Sequence, residues 1–115
     1  MKKNEKEVGL LLHRLGVSSK YHGFEFLSNC VVILLENDSY RHKSMNFLYE
    51  ELAKKFNCTP KCVERNIRTC IDSSWNKVSY NTVNEVFGST MNYVEESPSN
   101  REFIMNLLDF FKFNK

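Results

Sequence analysis

The sequence predicts an all-α fold, a compact bundle of about six helices that contains a helix-turn-helix. Three observations point there. Apolar residues recur at three- and four-residue spacing in one segment after another. Helix-start and helix-stop residues bracket those segments: Thr59-Pro60 and Ser99-x-x-Glu102 at starts, Gly16 and Gly88 at ends. Ala53, Asn57 and Val63 follow one another at the spacing of a small residue, a turn residue and a buried anchor, which a helix-turn-helix needs. With 115 residues, of which 42% are hydrophobic, the chain is one ordered domain that buries roughly two-thirds of its unfolded surface without staples.

Taken in order, Met1–Lys6 is polar and charged and is expected to fray, giving a flexible end over residues 1–7 and a domain over 8–115. Val8, Leu11, Leu12 and Leu15 form the stripe of a first helix that Gly16 ends, with His13 and Arg14 solvated. Ser18–Gly23 connects. Phe24, Leu27, Val31, Leu34 and Leu35 make one helical stripe and Phe26, Cys30 and Ile33 a second, so this helix belongs in the middle of the bundle. Val31–Leu35 has the look of a buried strand, but the helical spacing upstream and the lack of a partner strand decide against it. Its aromatic residues are expected in the core and not as a platform for bases. Asn37–Lys43 reads as a polar loop carrying a basic cluster, Arg41, His42 and Lys43, which either meets phosphate or is simply solvated.

The helix-turn-helix covers about residues 49–76. Leu48, Leu52 and Phe56 are helically spaced, with Ala53 a small contact beside them. Asn57 tolerates the left-handed backbone a turn requires. Thr59 can cap the free amides of the next helix, and Pro60 at its first position loses no bond the helix needed. Val63, Ile67, Cys70, Ile71 and Ser74 then face inward, leaving Lys61, Arg65, Arg68, Thr69 and Asp72 outward with Cys62 and Glu64 on the flanks. Arginine bonds guanine O6 and N7 together, and glutamate accepts from cytosine N4. The outward face thus reads as DNA-contacting, against the plain alternative of a solvated helix face in which Glu64 and Arg68 are an i,i+4 ion pair. The candidate base contacts are Lys61, Cys62, Glu64, Arg65 and Arg68; the candidate phosphate contacts are Lys54, Lys55, Thr59, Thr69 and Lys77. The net charge of the chain is only +2, but residues 51–77 hold six basic and three acidic side chains, so the positive charge is concentrated on the motif.

Trp75 closes the second motif helix as a packing residue. After a connector, Val83, Val86 and Phe87 face inward from a short helix ended by Gly88, and Ser89–Ser97 is expected to be irregular, with Glu95 and Glu96 away from DNA. Ser99 and Glu102 form a capping box that opens the last helix, whose stripe is Phe103, Ile104, Leu107, Leu108 and Phe111, leaving Phe110 and Phe113 off it.

Other classes are not favoured. No nucleophile has a base at a recognisable spacing, and four glycines leave no phosphate-cradling loop, so no enzyme and no cofactor is expected. Cys58-x3-Cys62 is not a usual zinc spacing and the histidines are scattered, so no metal is expected. Cys30 and Cys70 sit in apolar runs and no signal peptide is present, which reads as reduced thiols in a cytoplasmic protein. The longest apolar run, Cys30–Leu35, is far too short to span a membrane.

Six segments, in order and at near-constant spacing, resemble the C-terminal effector domain of the stage-zero sporulation regulator A family. LHRLGV (Leu12–Val17) looks like the family's first-helix ending, and HGFEFL (His22–Leu27) like its next segment. LAKKFN (Leu52–Asn57) is close to its LAKKFN or IAKKFN. VERNIR (Val63–Arg68) resembles its VERAIR, followed by Trp75. VFGST (Val86–Thr90) looks like its LFGYT, and PSNREFI (Pro98–Ile104) like its PTNSEFI. The resemblance implies an all-helical domain of about six helices that binds TGTCGAA-like double-stranded DNA as tandem copies and regulates transcription, with RNA polymerase and a second copy of the chain as further partners. It carries base reading onto Glu64, Arg65 and Arg68. One position departs: the family has arginine directly before VER, where this chain has Cys62. Lys61 beside it restores charge but not bidentate geometry. The family's phosphoacceptor domain resembles no part of this chain, which is therefore expected to be either an excised domain or a standalone relative. The alternative function is an interaction module, or antagonist, that keeps the fold, binds a protein partner and has lost specific DNA readout.

Overall fold

The computed structural model describes residues 3–88 and 97–113. Among them the chain forms α1 (Lys3–Arg14), α2 (His22–Glu36), a 3-10 turn (Asp38–His42), α3 (Met45–Phe56), α4 (Pro60–Trp75), α5 (Tyr80–Phe87) and α6 (Asn100–Phe113). The predicted all-α bundle is the observed one, and no strand occurs among the described residues. Residues 89–96, which hold most of the stretch expected to be irregular and both Glu95 and Glu96, lie outside the described residues.

Helix α2 is the centre, as its two apolar stripes require. Phe26, Leu27, Cys30, Val31, Val32 and Leu34 are all buried, and α2 packs against α1, α3, α4 and α6. Around it Val8, Leu11 and Leu12 of α1 and Leu15 just after it turn inward, as do Leu48 and Leu52 of α3, Val63, Ile67 and Ile71 of α4, and Phe103, Ile104, Leu107 and Leu108 of α6. Every one of these was legible from helical spacing, because a helix has one face for the core and burial of each side chain contributes about 1.5–3 kcal/mol. The aromatic residues of α2 pack as expected: Phe26 is buried, edge-on to Phe56 at 5.2 Å between centroids. Trp75 packs edge-on against Phe87 (5.5 Å), and Phe87 lies tilted against Phe103 (5.6 Å), which joins the end of α4 through α5 to α6.

Helix α1 begins at Lys3, with Glu5 in its first turn, where a carboxylate is favoured by the helix dipole. One local expectation is corrected. Residues 38–42 are wound as a 3-10 turn and not a plain loop. The edge-on contact of Tyr40 with Phe47 (5.1 Å) and two ties to α6 hold it, Arg41 to Asp109 at 2.7 Å and Asp38 to Lys112. Arg14 is exposed, as expected, and also pairs with the equally exposed Glu85 of α5.

Gly23, at the start of α2, marks a close approach. A Cβ there would stand 2.2 Å from the carbonyl oxygen of Asn66 and 2.5 Å from Sγ of Cys70, both on α4. The absence of a side chain at residue 23 thus sets how near the central helix comes to the second helix of the motif.

Candidate nucleic-acid interface

The local chemistry builds the helix-turn-helix from its own residues. Ser44 caps α3 by accepting from the Phe47 amide (3.1 Å). Asn57 ends α3 in the left-handed region, φ 55° and ψ 53°, and the Cys58 amide turns back to the Ala53 carbonyl (3.0 Å). Two residues on, Thr59 Oγ1 accepts from the Cys62 amide (3.1 Å) and Pro60 opens α4. Ala53 is 5% exposed and Val63 fully buried, and α3 packs against α4, which is consistent with a small residue and a buried anchor at helix-turn-helix spacing.

Helix α4 buries Val63, Ile67, Cys70, Ile71 and Ser74, and so turns Lys61, Glu64, Arg65, Thr69 and Asp72 to the outside, with Arg68 partly buried. The basic side chains named from the sequence divide into two sets. Lys61, Arg65 and Lys77 have no hydrogen-bond or ion-pair partner among the described residues. The others are engaged. Lys54 lies 3.6 Å from Glu51. Lys55 donates to Oδ1 of Asn29 on α2 (2.6 Å). Arg68 donates from Nη2 to Asp72 (2.7 Å) and to Oγ of Ser97 (2.9 Å), and Ser97 donates in turn to Asp72 (2.6 Å). The hydrogen bond from Arg68 holds the Asp72 carboxyl below its ordinary value of 3.8 against the opposing effect of burial, and the Ser97 hydrogen bond adds a smaller pull in the same direction as Arg68. The i,i+4 pair on α4 is therefore Arg68–Asp72 and not Glu64–Arg68. Thr59 has its oxygen committed to the cap while its O–H remains a donor.

Cys62 lies on a different side of α4 from Arg68. It lines a cleft of about 250 Å³ with His22, Glu25, Phe26, Phe56, Cys58 and Asn66, and its Sγ accepts from the Asn66 side chain (3.4 Å). All four cysteines are free thiols. Burial pushes Cys30 up to about 12 and Cys70 up to about 11, which fits the reading of both as inert core thiols.

Sequence reasoning missed the residues that brace α4 from outside the motif. Asn100, 8% exposed at the start of α6, donates to the hydroxyl of Tyr49 on α3 (3.0 Å) and to the carbonyl of Glu64 on α4 (3.3 Å). Burial raises the Tyr49 hydroxyl above its ordinary value, partly offset by the Asn100 bond. The capping box that was legible, Ser99 Oγ with the Glu102 amide (3.1 Å) and the Ser99 amide with Glu102 Oε1 (2.9 Å), locates the start of α6 but says nothing of its neighbours.

Residues 8–110 match the family model described as sporulation initiation factor Spo0A, C terminal. The chain belongs to that family. The Spo0A C-terminal family is one of DNA-binding effector domains in the transcriptional regulation of sporulation, all-α in fold. The match runs from Val8, inside α1, through most of α6, and both helices of the motif fall inside it. No helix among the described residues is long and apolar enough to cross a membrane.

Proposed function

We propose that this member of the Spo0A C-terminal family binds double-stranded DNA sequence-specifically and regulates transcription, through residues 8–115 and with α4 in the major groove. The observation that carries the reading is the pair Lys61 and Arg65 on the exposed N-terminal half of α4, with no partner among the described residues. Recognition helices meet base edges mainly with that half. Arg65 reads guanine; Glu64 accepts from cytosine or orients Arg65; Lys61 supplies the charge that Cys62 does not. Arg68 joins them once a phosphate or base draws it from Asp72 and Ser97. Thr59, Thr69 and Lys77 hold phosphates, and Lys54 and Lys55 do so after leaving Glu51 and Asn29. Further partners of this reading are a second copy of the chain on a tandem site and RNA polymerase, and its place of action is the cytoplasm.

The test is fluorescence anisotropy on a TGTCGAA-like duplex and a scrambled duplex across a salt series. Tighter binding to the first by about tenfold or more, with log affinity falling by about 0.9 per phosphate contact, supports specific readout. Arg65→Ala should then flatten discrimination, while Lys77→Ala should weaken both duplexes alike. Loss of affinity in both variants with site preference unchanged refutes the base-reading assignment.

A second reading draws on Cys62. Where the family has a cation, this side chain lies in a cleft shared with α2 and bonds Asn66. An interaction module that keeps the fold and has lost specific readout follows from that. Equal, salt-sensitive binding to both duplexes, with no preferred site recovered by selection from random DNA, supports this second reading over the first.

A further inference from the structure

A cleft of about 790 Å³ runs along the side of α4 that faces α6. Met45 and Tyr49 of α3, Glu64, Arg65, Arg68 and Thr69 of α4, and Ser99, Asn100 and Arg101 at the start of α6 line it. Two features make it more than a gap between helices. Asn100 bonds both motif helices at once, through Tyr49 and Glu64, so the first turn of α6 is fixed against the recognition helix. The next residue, Arg101, is exposed and donates to the Lys43 carbonyl (3.4 Å) and the Arg41 carbonyl (3.3 Å), both long contacts. Among the described residues it has no ion pair, and a guanidinium carries five N–H donors. Three arginines therefore line one cleft. Among the described residues the carboxylate in its wall is Glu64; Asp72 is paired with Arg68, and Glu102 accepts from the Ser99 amide.

Resting on the reading of α4 as a recognition helix, we propose that Arg101 is a DNA-backbone contact, and that the cleft between α4 and the start of α6 takes a phosphodiester at the edge of the major groove. Arg65, Arg68 and Thr69 belong both to the outer face of α4 and to the cleft wall, so the two surfaces are continuous. A helix with its side chains is about 10–12 Å across and the major groove about 12 Å wide. Whatever stands immediately beside a helix lying in that groove meets a sugar-phosphate wall and not a base edge. Arg101 stands there, on an element outside the motif, with its first turn held rigidly. Its role is to set where α4 sits along the duplex, with no contribution to sequence preference.

The experiment uses the whole chain, with Arg101→Ala, Arg101→Lys and Arg65→Ala compared by fluorescence anisotropy on the specific and scrambled duplexes across a salt series. Arg101→Ala is expected to weaken both duplexes by the same factor, about three- to tenfold near 0.1 M salt, and to reduce the salt slope by about 0.9. Arg101→Lys should keep most of the slope. If Arg65→Ala changes discrimination while Arg101→Ala leaves affinity and slope unchanged, the inference falls and the reading of α4 stands. If the unaltered chain binds neither duplex, the reading of α4 falls and this inference with it. Binding of inorganic phosphate lost in Arg101→Ala, with DNA affinity and slope intact, would equally overturn it, since the cleft would then serve a small anion.

Discussion

Gly23→Ala sets two physical effects against each other with opposite signs. By helix propensity alone, alanine in place of a helical glycine stabilises by up to about 1 kcal/mol. The structure says otherwise at this position. The added methyl would stand 2.2 Å from the Asn66 carbonyl oxygen and 2.5 Å from Cys70 Sγ, where ordinary contact begins near 3.4 Å, so α2 must retreat from α4 by about 1 Å. The obstacle is backbone in the middle of a helix and cannot rotate aside. Overpacking of this kind costs about 1–3 kcal/mol, and an immovable neighbour puts it at the upper end. After the propensity gain, a net loss of about 2 kcal/mol is expected, a fall in Tm of about 8 °C for a domain of this size. Because Asn66 lies between Arg65 and Ile67 on α4, DNA affinity should fall as well. Gly9→Ala is the control. Its Cβ would meet only Phe24 Cζ, at 3.7 Å, so propensity acts unopposed and the variant should gain up to about 1 kcal/mol. Urea unfolding of the two variants beside the parent decides it. A Gly23→Ala chain as stable as the parent, or both variants shifting the same way, would refute the close-approach account.

Asp72→Asn should leave stability within about 1 kcal/mol, since the Arg68–Asp72 pair is surface-exposed. It should also remove an acid-side dependence. The folded carboxyl titrates below the usual 3.8, so its contribution is present above that value and lost as pH falls through the folded pKa. Urea midpoints measured down the acid limb would show a flatter profile in the variant; an unchanged profile would remove the Arg68–Ser97–Asp72 network from the account. Cys30 and Cys70 titrate in the opposite sense. Their folded values near 12 and 11 lie above the ordinary 9.0, so their contribution is complete below pH 9 and declines as pH rises from there. Alkylation at pH 8 followed by mass spectrometry should find both thiols protected in the folded chain and modified in urea; labelling of either in the native state would contradict the packing around α2. Asn100→Ala should cost about 1–3 kcal/mol, because the buried Tyr49 hydroxyl loses its hydrogen-bond partner. It should also loosen α4 against α6, which hydrogen exchange at the α4 amides would report as faster opening.

The sequence by itself determined the helices, most of their ends and their buried faces. Asn57, Thr59-Pro60, Gly88 and the Ser99–Glu102 box act within a single turn, so neighbours in sequence are also the physical partners. Helical periodicity likewise named the core residues, since it needs only to know which side is apolar. Its local limit was reached at the 3-10 turn, where winding rests on contacts with α6 and Phe47. Lys54–Glu51 and Arg68–Asp72 are pairs within one helical turn, and the tertiary structure decided the rest of the charges' partners. Arg68 is held further because Ser97, 29 residues away, comes beside it, and Lys55 is engaged because Asn29 does. Asn100 reaches Tyr49 across 51 positions, and Gly23 is bare because Asn66 arrives there. Such pairings follow from how helices stack, which no local pattern encodes. The sequence therefore showed which side chains point outward, and the packing of α2 and α6 against α4 decided which of them keep their hydrogen-bonding capacity for a ligand.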